Sequence, residues 1–122
     1  MNSYNTEIID FELDKLEELS GLLGIAIVNR NGLLITSRLP REIDGRKLGA
    51  MAATMYESIE IATTNLGSQN IHHLTVEFDE FQVFVLGITE QMIIITIFEK
   101  NINIGLILIE IEESIQKIRN FK

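Results

Sequence analysis

The side chains able to do chemistry in this chain are few and scattered. His72 and His73 are its two histidines, and it has no cysteine. Neighbouring residues of a strand point to opposite faces, so on a strand this pair cannot close on one metal ion. Acidic pairs occur at Glu17-Glu18, Asp79-Glu80 and Glu112-Glu113. A paired-carboxylate acid/base mechanism needs one partner buried enough to hold its proton, whereas these pairs fall on a helix face or in turns. The chain contains no glycine-rich phosphate loop, no G-x-S-x-G nucleophile elbow and no H-E-x-x-H zinc motif. We therefore expect no catalytic residues, no metal ligands and no cofactor, and a protein that is not an enzyme. The remaining concentration of charge is basic. Arg30, Arg38, Arg41, Arg46 and Lys47 supply half of the ten Lys and Arg residues, against Glu42 and Asp44 in the same segment. That is a local +3 in a chain of net charge -8.

The elements that must position these groups follow from the hydrophobic period. Over residues 6–20, Ile8, Ile9, Leu13, Leu16 and Leu19 form a stripe at helical spacing, and Ser20-Gly21 stops it. Residues 25–28 and 33–37 read as two strands joined at Asn31-Gly32, with a connection of two residues, or of four if Asn29-Arg30 joins it. A second helix follows the polar loop after Pro40. Its positions Leu48, Ala52, Met55, Ile59, Ala62 and Leu66 are spaced four and three apart, which assigns them to the core, and Gly67 ends it. Three strands come next, over Leu74, Val76 and Phe78, then 82–88, then 92–98. The last is apolar on both faces, which requires a sheet covered on both sides. Ile104, Ile107, Leu108, Ile111, Ile115 and Ile118 make a closing helix. The expected class is α/β (α+β): a five-stranded antiparallel sheet between helices, in the order α-β-β-α-β-β-β-α.

The bulk properties narrow the partners. A chain of 122 residues, 46% hydrophobic, has material for one core, so residues 1–122 are expected to form a single domain. Its negative charge opposes nucleic acid and anionic membrane surfaces. No apolar run reaches the roughly 20 residues of a membrane span, and the acidic start MNSYNTEIIDFELDKLEELS does not read as a signal peptide. With cysteine absent, a cytoplasmic location is expected. On the second helix, away from the stripe above, Ala50, Ala53, Thr54, Glu57, Ser58, Ile61 and Thr64 are mostly small, with Met51 and Tyr56 flanking them. Small side chains let a second helix approach, most simply across a two-fold axis. An unpaired strand edge around 72–77 would let a second copy extend the sheet.

In this order, LDKLEELSGLLGIAIVNRNGLLITSR, LGAMAATMYESIEIATTNLG, LTVEF, QVFVLGI, MIIITIF and NIGLILIEIEESIQKI resemble the Roadblock/dynein light chain family, especially its prokaryotic, MglB-like branch. The resemblance runs from about Ile8 to Ile118. It implies a profilin-like or longin-like fold with the first and last helices on one face of the sheet and the middle helix on the other. It also implies a homodimer, or a pairing with another roadblock protein, through the middle helix and third strand, and a Ras-like small GTPase as partner. Carried over by position, the dimer surface would comprise Ala50, Ala53, Thr54, Glu57, Ile61, Leu74, Thr75, Val76 and Glu77. The GTPase-facing candidates are Arg46, Lys47, Met51, Met55 and Tyr56. Arg38, Arg41 or Arg46 could serve as an arginine finger for such a partner. The competing reading is a small-molecule sensor with a cavity lined by Phe84, Leu86 and Ile95.

Overall fold

The computed structural model describes residues 5–67 and 70–120. Helix α1 (Thr6–Leu16) opens at Asn5, whose Oδ1 accepts from the Glu7 and Ile8 amides at 3.0 and 3.2 Å. This satisfies donors that a helix start leaves without partners. Strands β1 (Leu22–Asn29) and β2 (Leu34–Arg38) form a hairpin; α2 (Gly45–Thr63) follows, then β3 (Leu74–Glu77), β4 (Phe81–Gly87), β5 (Met92–Glu99) and α3 (Ile104–Asn120). A 3-10 turn (Thr64–Leu66) ends α2, and Gly67 closes it at φ +81°. The element order is the expected one.

The strands make one antiparallel sheet in the order β2-β1-β5-β4-β3. The central place of β5 explains why its sequence is apolar on both sides. Ile94 and Phe98 join the core under α1 and α3, while Ile93, Ile95 and Ile97 join the core under α2. Two local readings change, and the hairpin connection takes the longer of its two expected lengths. Helix α1 stops at Leu16, because the Glu18 and Leu19 amides bond three residues back instead of continuing the helical ladder. The hairpin connection has four residues, with the Asn29 amide on the Leu33 carbonyl at 2.8 Å and Gly32 at φ +93°. Strand β3 ends at Glu77, so Phe78 leaves the alternation and packs its ring 4.9 Å from that of Phe81.

The largest correction concerns α2. Asp44 caps its start, accepting from the Arg46 and Lys47 amides at 3.0 and 3.3 Å. The face on the sheet is then Gly49, Ala52, Ala53 and Tyr56. The expected core stripe shares Ala52 with this face, and Leu48 and Met55 are half-buried and pack against the same core, but Ile59 and Leu66 are 41% and 65% exposed and Ala62 is exposed. The reason is distance. A Cβ at Gly49 would come within 2.8 Å of the Val28 side chain, so the helix lies too near β1 for anything larger there. Small residues permit that approach, and the larger stripe is turned aside.

If α2 is oriented this way, Ala53→Leu should overfill the core and lower stability by about 1–3 kcal/mol. Ala50→Leu, on the exposed side, should stay within about 0.5 kcal/mol of the parent. Urea midpoints compare the two; the reverse ranking would mean that the helix is rotated.

Candidate functional site

The displaced stripe borders a groove between α2 and β3. Thr54, Met55, Ser58 and Ile59 form one wall and Leu74, Thr75 and Val76 the other, around a cavity of about 370 Å³. Among the described residues β3 pairs only with β4, in unbroken register from Leu74↔Val85 to Glu77↔Gln82, and no strand lies at its other edge. The opposite edge differs. In β2 the pairing jumps from Val28↔Leu34 to Ile27↔Thr36, leaving Ile35 as an extra residue, and Arg38 and Pro40 follow. A bulge, a charge and a proline each discourage a further strand. Strand β3 carries neither bulge nor proline, and an apolar groove runs beside it.

The expected dimer residues divide. Thr54, Leu74, Thr75 and Val76 meet at the groove; Glu77 is exposed at the end of β3, and Ala50, Glu57 and Ile61 are exposed on α2. Ala53 does not belong with them: at 5% exposure it packs on the sheet. Among the expected GTPase-facing residues, Arg46 and Lys47 are exposed, Met51 is 40% exposed and Met55 lines the groove. Tyr56 faces inward at 4% exposure. Sequence reasoning assigned Ile59 to the core, yet it is a groove residue. The signal that locates it is side-chain size: of two neighbouring apolar stripes on one helix, the smaller can lie closer to a sheet.

The basic segment is dispersed. The Arg30 guanidinium lies 4.6 Å from the Tyr56 ring centroid and donates to Glu60 Oε1 at 2.7 Å and to the Thr89 carbonyl at 3.2 Å. Arg38 donates to Glu17, Asp14 and Asp10 of the α1 segment at 2.6, 2.7 and 3.4 Å. Glu17 first and Asp14 next hold its guanidinium above its ordinary pKa. Its commitment to three carboxylates removes Arg38 from the arginine-finger candidates. What remains is Arg41, Arg46 and Lys47 beside Glu42 and Asp44, a local +1. The sensor cavity is corrected too: Phe84 and Leu86 belong to the core under α1 and α3, and Ile95 to the core under α2. Residues on opposite faces of one sheet cannot line one cavity. Among the described residues no cluster of three His, Cys, Asp or Glu is placed to hold a metal ion, and no helix is long and apolar enough to cross a membrane.

A polar cleft of about 460 Å³ surrounds Arg30 and includes Tyr56, Glu60, Gly87, Thr89 and Arg119. Its side chains cap backbone at the end of β4, beyond the reach of β3. Arg119 Nε donates to the Ile88 carbonyl at 2.8 Å, and the Tyr56 hydroxyl lies against Gly87. A Cβ at Gly87 would lie 2.8 Å from that hydroxyl, so a larger residue there would push the Tyr56 ring from its place. Burial raises the Tyr56 pKa above its ordinary value and Glu60 adds to this, against the lowering by Arg30 and the Gly87 backbone.

The sign of the resulting pH effect is fixed. A phenol with a raised folded pKa contributes stability that is present below its unfolded value, about 10, and is lost as pH rises through the folded value. Tyr56→Phe should therefore show a shallower loss of stability above about pH 10 than the parent, measured by denaturant midpoint against pH. Identical alkaline slopes would contradict the placement of Tyr56.

The family model described as Roadblock/LC7 domain matches residues 8–98. The uncharacterized protein MJ1340 of Methanocaldococcus jannaschii is 26% identical over 112 residues, covering 92% of this chain and 97% of that one. The fold is similar to that of Myxococcus xanthus MglB, at a TM-score of 0.86 and 18% identity over 94% of each chain. It is also similar to a Roadblock/LC7 domain from Streptomyces avermitilis, at a TM-score of 0.83 and 14% identity over 91% of this chain and 94% of the other. With its sheet order, its helices on both faces and most of its length matched by the family model, the chain belongs to the Roadblock/LC7 domain family.

Proposed function

We propose that this chain is a self-associating roadblock module that holds or regulates a Ras-like small GTPase in the cytoplasm. The observation that supports self-association is the α2–β3 side. An unbulged edge strand lies beside large apolar side chains of α2, with Ile59 41% and Met51 40% exposed. A second copy related by a two-fold axis would set β3 against β3 and α2 against α2, continuing the sheet and covering those side chains. Another roadblock chain with a compatible edge would do the same.

The GTPase reading rests on the family resemblance. The module would act by position, since a GTPase carries its own phosphate loop and magnesium site and needs from a partner ordered switch segments or added charge. Arg46 and Lys47, exposed at the start of α2, are the side chains suited to meeting an acidic partner surface. Arg41 and Arg46 are the remaining arginine-finger candidates.

Two measurements test this reading. Sedimentation should give about twice the 13.9 kDa chain mass, and Ile59→Asp should return it to one chain, because a carboxylate has no place in a dry two-fold contact. A parent protein that stays at one chain mass at every concentration would contradict self-association. Mixing with the Ras-like GTPases of its own organism, loaded with GDP or a non-hydrolysable GTP analogue, should give a complex in one nucleotide state. No complex in either state would remove the GTPase from the account.

A further inference from the structure

The other side of the sheet carries a second conflict between sequence and burial. The first two turns of α3, Ile-Gly-Leu-Ile-Leu-Ile-Glu-Ile from Ile104, are apolar nearly all round, a pattern that belongs to a helix covered on more than one side. The sheet covers only one. Ile107 and Ile111 are buried against it, while Leu106 and Ile109 remain 65% and 55% exposed. On α1, packed beside α3, Phe11 is 60% exposed. The two helices are antiparallel: the end of α1 and the start of α3 meet where Leu19, Leu22, Ile102 and Ile104 join one cluster. Across their seam Ser114 Oγ donates to the buried Glu12 at 2.9 Å, and Lys15, one turn further along α1, pairs with the same carboxylate at 3.2 Å. What is left outside is a set of large exposed apolar side chains, Phe11 on one helix and Leu106 and Ile109 on the other.

Charge selects the occupant. Residues 5–20 and 104–120 hold nine acidic side chains against three basic ones, and Arg38, paired with Asp10, Asp14 and Glu17, brings the net of this side to -5 within the chain's -8. Glu110, Glu112 and Glu113 follow Ile109 in sequence, and are free of the Arg38 contacts that engage Asp10 and Asp14 beside Phe11. A second copy of this face would meet its own charge, and nucleic acid or an anionic membrane would be repelled in the same way. We propose that the α1–α3 surface docks a basic amphipathic helix from another protein. Its apolar face would cover Phe11, Leu106 and Ile109, and its Lys or Arg side chains would meet the surrounding carboxylates. This surface lies across the sheet from the α2–β3 groove, so both can be occupied together, and the inference does not depend on the identity or existence of a GTPase partner.

The test uses the full chain and two synthetic peptides of the same Leu/Lys composition, one patterned as an amphipathic helix and one scrambled to abolish that pattern. The patterned peptide should bind one per chain, with affinity falling as salt rises. Its resonance changes should map to α1 and α3. Leu106→Ser with Ile109→Ser should weaken it by about tenfold or more. Both positions are exposed, so the variant should keep the parent's thermal transition. Glu113→Lys should weaken binding with the apolar surface left intact, and Met51→Ser on α2 should leave it unchanged. Equal binding of the scrambled peptide, or parent-like affinity in the double variant, would overturn the proposal. So would a drop in oligomer size in the double variant, which would assign the face to contact between copies.

Discussion

The close approach of α2 to the sheet is the constraint from which the rest of this structure follows. Gly49, Ala52 and Ala53 let the helix backbone come down on β1, with the hypothetical Gly49 Cβ only 2.8 Å from Val28. Tyr56 is the one large side chain on that face, and it fits because Gly87 opens space at the end of β4. Once the small face is committed to the sheet, the 3.6-residue period leaves the larger stripe no choice but to lean toward β3. The groove is therefore a consequence of packing. It places Met55 and Ile59 beside the one sheet edge that carries neither bulge nor proline.

The arginines make the same point about commitment. Arg30 ties the β1–β2 hairpin to α2 and to the β4–β5 turn, and Arg38 ties β2 to α1. Both are exposed enough that their ion pairs contribute modestly to stability, on the order of 1 kcal/mol or less each. Their larger effect is on charge distribution: pairing them leaves the start of α2 weakly positive, while the α1–α3 side stays negative even with Arg38 drawn onto it. The two faces of the sheet thus differ in kind, one with a weakly charged helix beside an open edge and one with an apolar surface ringed by carboxylates.

Much of the fold was legible because its signals are local. The alternation in β3, the two-sided apolar run of β5, the Asn31-Gly32 turn and the isoleucine stripe of α3 each specify an element, and together they fix the element order. The site was less legible. Periodicity finds apolar stripes on α2 but carries no information about which stripe meets the sheet, so Ala53 and Tyr56 were placed outward and Ile59 inward. The missing quantity is the helix-to-sheet distance, set by Gly49 against a strand residue about twenty positions away. Likewise, a cluster of basic residues in sequence says nothing about carboxylates brought to it from elsewhere, which is why Arg30 and Arg38 looked available. Thr54, Leu74, Thr75 and Val76 line the groove, where both readings of the helix border the same edge.

The central claim is that the α2–β3 side is the surface this chain shares with a second roadblock chain. Backbone hydrogen exchange followed against protein concentration tests it most directly, because a strand edge gains protection when another strand pairs with it. The account predicts that amides of β3 and of the Met55–Ile59 turn slow as concentration rises, while those of the bulged β2 edge do not. Protection that grows at β2, with β3 unchanged at every concentration, would contradict it.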